Sequence, residues 1–124
     1  MAGSFTGQTR DRYLERLAAL LDRMRVQRRT LTYLEVADAL AVPAPKRIHK
    51  TARLVELLLK QDFEAGRPIR AALVTSRARP GLPAEGFFER ARRLGLYAGG
   101  DPVAFHAALL ERLFCADGSG QGSG

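Results

Sequence analysis

The chain has 124 residues, of which 46% are hydrophobic and 27% charged, with a net charge of +7; this fits one basic globular domain with its own core. No apolar run approaches the roughly 20 residues that cross a membrane, residues 1–8 carry no signal-peptide pattern, and a single cysteine, Cys115, excludes an internal disulfide. We therefore expect a cytoplasmic protein without a membrane partner, consisting of a flexible leader (1–8), one domain (9–116) and a disordered Gly/Ser-rich tail (117–124).

The first predicted helix runs from about Thr9 to Arg28. Its apolar residues recur at steps of three or four, namely Leu14, Leu17, Ala18, Leu21 and Met24, which predicts one buried face. The arginines between them stand near acidic residues, so much of the opposite face is expected to be solvated. Residues 29–31, which follow, are short and partly β-branched and could form a single β-bridge.

A short helix is predicted at 33–40 by the residues that begin it. Thr32 and Glu35 have the spacing of a capping box, in which each side chain accepts a hydrogen bond from the backbone N–H of the other. We therefore expect Thr32 to be the N-cap and the helix to start at Tyr33.

A longer helix is predicted to follow, from Pro45 to about Asp62, after a turn at 41–44. We expect its buried stripe to be Ile48, Ala52, Val55 and Leu59. Its leading end carries a basic cluster of Lys46, Arg47, His49, Lys50 and Arg53. Cations near a helix N-terminus oppose the helix dipole at a cost of about a few tenths of a kcal/mol each, and a docked polyanion would offset that cost.

The charge distribution agrees with this cluster. Residues 1–60 hold 12 Lys/Arg against 6 Asp/Glu, whereas residues 61–124 hold 8 against 7. An excess confined to one half favours a polyanionic partner. The alternative is a general preference for arginine, which supplies 17 of the 20 basic residues.

The second half of the chain is predicted to contain one strand and two helices. Residues 69–76 form the one clear strand, and a Pro/Gly-rich loop follows at 77–83. A helix is expected at 84–94, where Gly95 is a natural stop. A last helix is expected at 102–115, with Asp101 as its N-cap.

Residues 9–83 are predicted to form, in order, a helix, a bridge, a helix, a turn, a helix, a strand and a loop. This order of elements resembles the winged helix-turn-helix family of DNA-binding proteins. The resemblance implies a mostly α, winged helix-turn-helix-like domain with one clear strand and two additional C-terminal helices. It also implies that the helix beginning at Pro45 enters the major groove and that the loop 77–83 is the wing. A complete wing needs a return strand, whereas the sequence after Pro83 is helical.

A second pattern spans residues 66–95. It reads Gly66-Arg67-Pro68-x4-Leu73-Val74-x-Ser76, then Gly81-Leu82-Pro83-x2-Gly86-Phe87-Phe88-x2-Ala91-x2-Leu94-Gly95. This segment resembles a pattern in small uncharacterised bacterial and phage-related proteins, and the resemblance implies no activity. We interpret its spacing as structural, although the same positions could form a pocket or a partner surface.

The predicted DNA-binding residues are Lys46, Arg47, His49, Lys50, Arg53, Thr32, Tyr33, Arg77 and Arg79. Arg47 and Lys50 are expected to contact base edges, and Lys46 and Arg53 to contact phosphates. Thr32 and Tyr33 lie where free N–H groups at a helix N-terminus could bind a phosphate. Arg77 and Arg79 would contact the backbone or minor groove from the loop. The alternative is a solvated basic surface.

The sequence offers no chemistry that points to an enzyme. His49 and His106 have no ligand at metal-binding spacing, and Cys115 has no histidine near it in sequence. His106 stands on an apolar stripe, as a core histidine would. No phosphate-binding or dinucleotide motif occurs. We expect no catalytic residue, metal, cofactor or small-molecule ligand.

These features predict double-stranded DNA binding by a small transcriptional regulator or nucleoid-type accessory protein. A homodimer is expected through the C-terminal helices, with Phe105, Leu109 and Leu113 on its surface. The alternative function is a protein–protein adaptor that uses Phe87, Phe88 and the last helix as a groove. A third possibility is an RNA-binding accessory protein.

Overall fold

The computed structural model describes the backbone of residues 7–123 and the side chains of residues 9–115. This part of the chain is mostly helical, as predicted, and it also contains a small two-stranded sheet. In chain order the elements are α1 (Gly7–Gln27), β1 (Leu31–Thr32), α2 (Tyr33–Ala39), α3 (Arg47–Ala65), a 3-10 turn (Arg70–Leu73), β2 (Val74–Thr75), α4 (Glu85–Leu94) and α5 (Pro102–Ser123). None of the described helices is long and apolar enough to cross a membrane.

The start of α2 agrees with the prediction, whereas the start of α3 does not. The Thr32 side chain accepts a hydrogen bond from the Glu35 N–H at 3.1 Å, and Glu35 Oε1 accepts from the Thr32 N–H at 2.8 Å, which completes the capping box. Pro45 is not the first residue of α3. Lys46 is left-handed (φ 59°, ψ 45°), so the helical repeat begins only at Arg47.

The predicted strand 69–76 is mostly wrong. Residues 70–73 form the 3-10 turn, and only Val74–Thr75 is extended. β2 pairs with β1 in parallel, Leu31 opposite Val74 and Thr32 opposite Thr75, so the possible β-bridge near residues 29–31 does find a partner. In the described part of the chain the loop 77–83 has no return strand. It is closed instead by the Ser76 N–H, which donates to the Leu82 carbonyl at 2.7 Å.

The core surrounds α3, which packs against α1, α2 and α4. Its buried face consists of Lys50, Thr51, Leu54, Val55, Leu58, Leu59 and Asp62. The predicted stripe of Ile48, Ala52, Val55 and Leu59 is therefore one edge of the real face. Ile48 is exposed, because it lies against an open groove rather than against another helix.

The Gly66-Arg67-Pro68 part of the second pattern organises a buried ion-pair network. Gly66 ends α3 in the left-handed conformation (φ 73°). Asp62 is completely buried and accepts four hydrogen bonds, from the Arg67 Nε and from the Arg70 N–H, Nε and Nη2, at 2.7–3.1 Å. Arg70 also reaches Asp22 of α1 at 3.2 Å. The network therefore joins α1, α3 and the 3-10 turn.

The remainder of that pattern positions the start of α4. The α4 N-cap, Ala84, has no capping side chain; its N–H instead donates to the Tyr33 hydroxyl of α2 at 3.2 Å. Gly86 lies beside Glu56 of α3, and a Cβ at Gly86 would stand 2.5 Å from the Glu56 Oε2. A carboxylate at the first turn of a helix is favourable for the helix dipole. The pattern thus has a structural explanation.

α5 begins as predicted and ends later. The Asp101 carboxylate accepts a hydrogen bond from the Val103 N–H at 3.0 Å. The helix continues to Ser123 through the segment predicted as a disordered tail, which contains no proline to interrupt it. Gly124 and most of the predicted leader lie outside the described residues. His106 is buried, and its Nε2–H donates to the Ala72 carbonyl at 2.8 Å.

Candidate nucleic-acid interface

The turn between α2 and α3 is held by two side chains of α3. Arg47 donates from Nε to the Val42 carbonyl at 2.7 Å and from Nη2 to the Asp38 carboxylate at 2.9 Å. Lys50 donates from Nζ to the Pro43 carbonyl at 3.0 Å. The carbonyls after a helix end have no helical partner, so these cations satisfy them.

Arg47 and Lys50 therefore do not occupy the position predicted for base contacts. Lys50 is 8% exposed and Arg47 is half-buried. Both side chains are directed back to the turn, and moving them to a ligand would leave backbone acceptors unsatisfied. We correct their role: they hold α3 against the turn.

Three other members of the basic cluster remain on the surface. Lys46, His49 and Arg53 are exposed. His49 and Arg53 are four residues apart, so they lie on one face of α3, and Lys46 is the N-cap at the start of the helix. Lys60 continues this face seven residues after Arg53 and is also exposed. In the part of the chain that the structure describes, none of these side chains forms an ion pair. We call Lys46, His49, Arg53 and Lys60 the basic face.

Lys60 was missed in the sequence because the predicted cluster ended where the helix became apolar. Its position relative to His49 and Arg53 was nevertheless visible, since steps of four and seven residues return to the same side of a helix. From His49 to Lys60 the basic face extends for about 17 Å along α3, at about 1.5 Å per residue.

Thr32 and Tyr33 do not form the predicted phosphate site. The Thr32 hydroxyl caps α2. Tyr33 is only 5% exposed, and its hydroxyl accepts the Ala84 N–H. Burial raises the pKa of Tyr33 to about 12, with the charge of Glu56 also raising it and the hydrogen bond from Ala84 opposing. The sequence alone did not reveal this role of Tyr33, because its hydrogen-bond partner is 51 residues away along the chain.

The two loop arginines are directed to different places. Arg77 is exposed and lines a groove with Ile48, Leu34, Tyr33, Ser76 and Ala78. The structure therefore brings Arg77 to the first turn of α3. Arg79 is half-buried, with its guanidinium 5.5 Å from the centre of the Phe88 ring, a cation–π contact on the α4 side. Arg79 is not part of the basic face.

The surfaces predicted for protein partners are only partly open. Phe87 is buried in the core, whereas Phe88, although 7% exposed, lines a pocket with Tyr97 and with Pro102 at the start of α5, so the predicted adaptor groove stays a prediction. Leu109 and Leu113 are also buried, and Phe105 stacks on Tyr97 with ring centres 4.4 Å apart. Leu109 and Leu113 therefore cover the domain core and are not available for the predicted dimer surface, whereas a homodimer through the C-terminal helices stays a prediction.

Metal-binding chemistry finds no support in the described residues, where no group of three or more His, Cys, Asp or Glu could hold an ion. Cys115 is exposed.

Comparison with protein-family models, with curated proteins and with solved structures finds no significant match. The basic face of α3 is therefore the feature of the described residues that points to a function.

Proposed function

We propose that this protein binds double-stranded DNA through the basic face of α3, with Arg77 as a further contact. The observation that carries the proposal is the line of Lys46, His49, Arg53 and Lys60, exposed and without ion pairs in the described residues. Unpaired cations in a row suit a ligand with regularly spaced negative charges, and the phosphate backbone of DNA is such a ligand.

The start of α3 also suits an anionic ligand. Lys46 is the N-cap and provides no side-chain cap, so the N–H groups of the first turn are available to an anion. No acidic residue stands in that turn. The cations there oppose the helix dipole, and a phosphate would interact favourably with both the cations and the dipole.

In this proposal α2 and α3 act as a helix-turn-helix and the domain as a winged helix. The N-terminal half of α3 would lie in the major groove, with the loop 77–83 as a short wing that has no return strand in the described residues. Arg77 would contact the backbone beside α3. Arg47 and Lys50 would contribute indirectly, by fixing the angle between the two helices.

The biological role that fits is that of a small transcriptional regulator or nucleoid-type accessory protein in the cytoplasm. Helix-turn-helix proteins commonly bind two half-sites as dimers. A homodimer therefore remains part of the proposal, with a surface other than Leu109 and Leu113.

A protein–protein adaptor is the second candidate, and the groove beside α3 is the observation that favours it. The groove is lined mainly by apolar groups of Tyr33, Leu34, Ile48 and Ala78. Under this alternative, removal of the basic face would leave partner binding intact.

The test is a titration of the protein into a fluorescent mixed-sequence duplex, followed by anisotropy at several salt concentrations. We expect the logarithm of the association constant to fall linearly with the logarithm of salt, with a slope of about −0.9 for each phosphate contact. The four lysine and arginine side chains, Lys46, Arg53, Lys60 and Arg77, predict a slope of about −4. An absence of binding at low salt would refute DNA binding and leave the adaptor.

A further inference from the structure

Ile48 is a large apolar side chain in an unusual position. It is the second residue of α3 and is 45% exposed, whereas Leu54, Val55, Leu58 and Leu59 of the same helix are buried. Single exposed apolar residues are common on protein surfaces. The position of Ile48 relative to the cations, rather than its exposure, makes it informative.

Basic residues lie near Ile48 both in the chain and across the groove. Lys46 and His49 are within two residues of it at the start of α3, and both are exposed. Arg77, from the loop after β2, lines the same groove as Ile48. If the start of α3 enters the major groove and Arg77 binds a phosphate, Ile48, which lines a groove with Arg77, would lie near the edges of the bases.

Two neighbouring groups that could form hydrogen bonds to bases are already occupied. Arg47 is bound to Val42 and Asp38, and Lys50 is bound to Pro43. Ile48 itself has no polar atom in its side chain. The one apolar group on a base edge in the major groove is the C5 methyl of thymine.

We infer that Ile48 is a specificity-determining residue that contacts a thymine methyl group in the major groove, an inference that rests on the proposed DNA binding. The β-branched side chain of Ile48 would shield the methyl group from water, while Lys46 and Arg77 would contact the flanking phosphates. Burial of one methyl group corresponds to a preference of about three- to fivefold for thymine over the same base without its methyl.

The experiment compares thymine with deoxyuracil, which differs only by that methyl. A preferred duplex is first selected from a random library, and each thymine is then replaced by deoxyuracil in turn. Affinities are measured by anisotropy at one salt concentration for the wild type, Ile48→Ala and Ile48→Val. Val103→Ala is the matched control, because Val103 is exposed on α5 away from the basic face.

We expect the wild type and Val103→Ala to lose about three- to fivefold in affinity when deoxyuracil replaces thymine at one or two positions of the duplex. Ile48→Ala should bind both duplexes equally with an unchanged salt slope, and Ile48→Val should keep most of the preference. Equal affinity of the wild type for thymine and deoxyuracil, with salt-dependent binding intact, would overturn the inference but not the proposed function. A preference that persists in Ile48→Ala would also overturn it, and failure to bind any duplex would overturn both.

Discussion

The Lys50 ammonium group donates to the Pro43 carbonyl at 3.0 Å from within α3, where the side chain is almost completely buried. Its neighbour in the cluster, Arg53, is exposed and has no ion pair in the described part of the chain. Two cations three residues apart therefore have different functions, one in the fold and one on the surface.

Substitution at these two positions should separate stability from DNA binding. Lys50→Met keeps the aliphatic stem but leaves the Pro43 carbonyl unsatisfied, so we expect a loss of about 1–3 kcal/mol in the free energy of unfolding. Arg53→Ala should change stability by less than about 0.5 kcal/mol and weaken DNA binding. Urea denaturation and anisotropy measure the two effects, and a stable Lys50→Met variant with lost DNA binding would contradict the assignment.

The Asp62 carboxylate is expected to be the most sensitive polar group of the core. Asp62→Asn removes the charge that Arg67 and Arg70 contact, leaving the mostly buried Arg70 with less compensation, so we expect a loss of about 3–5 kcal/mol in the free energy of unfolding. Asp38→Asn is the control: its carboxylate pairs with Arg47 on the surface, and its loss should cost about 1 kcal/mol or less. Equal effects in urea denaturation would contradict the buried network.

His106 should make the fold sensitive to acid. Burial lowers the pKa of His106 in the folded protein, against a smaller opposing effect of the hydrogen bond to Ala72. As the pH falls, His106 therefore binds a proton in the unfolded chain before it does so in the folded protein. The contribution of His106 to the free energy of unfolding is complete above its unfolded pKa of about 6.5 and is lost as pH falls through the folded pKa.

The measurement is the free energy of unfolding between neutral pH and the range where carboxylates titrate. We expect His106→Gln to remove the decrease below about pH 6.5, and His49→Gln, at an exposed histidine of α3, to retain it. Identical pH profiles for the wild type and His106→Gln would show that another group is responsible.

Tyr33 should support the start of α4 from a distance. Tyr33→Phe removes the hydroxyl that accepts the Ala84 N–H, so we expect a loss of about 1–3 kcal/mol in the free energy of unfolding. Hydrogen exchange should show faster exchange of the first amides of α4 in the variant. Unchanged protection of those amides would contradict the role of the hydroxyl.

The sequence predicted the features that depend on neighbouring residues. The Thr32–Glu35 capping box and the Asp101 cap were correct because both partners lie within three residues of each other. The errors concern contacts between distant segments. Residues 70–73 were predicted as strand from their apolar run, but Arg70 binds Asp62 and Asp22, and a 3-10 turn results.

The candidate site was predictable only in part, for the same reason. The sequence located the basic cluster but could not distinguish the exposed cations from Arg47 and Lys50, since that depends on the carbonyls of the turn. It also grouped Arg79 with Arg77, although Arg79 finds the Phe88 ring. Lys60 could have been found by extending the helical spacing to the next turns.

The most direct test of the account compares two double charge reversals with the same change in net charge. Lys46→Glu/Arg53→Glu alters the basic face, and Arg92→Glu/Arg93→Glu alters exposed arginines of α4. Glutamate near the start of α3 favours the helix dipole, whereas glutamate in the last turn of α4 opposes it, so the melting temperatures of both variants are measured to verify that they remain folded.

Anisotropy with a mixed-sequence duplex should show that the first variant loses nearly all binding, with a salt slope reduced in magnitude by about two. The second should stay within a few-fold of the wild type, because long-range charge is screened over about 10 Å at 0.1 M salt. Equal loss in both variants, or no binding by the wild type, would contradict a DNA interface on α3.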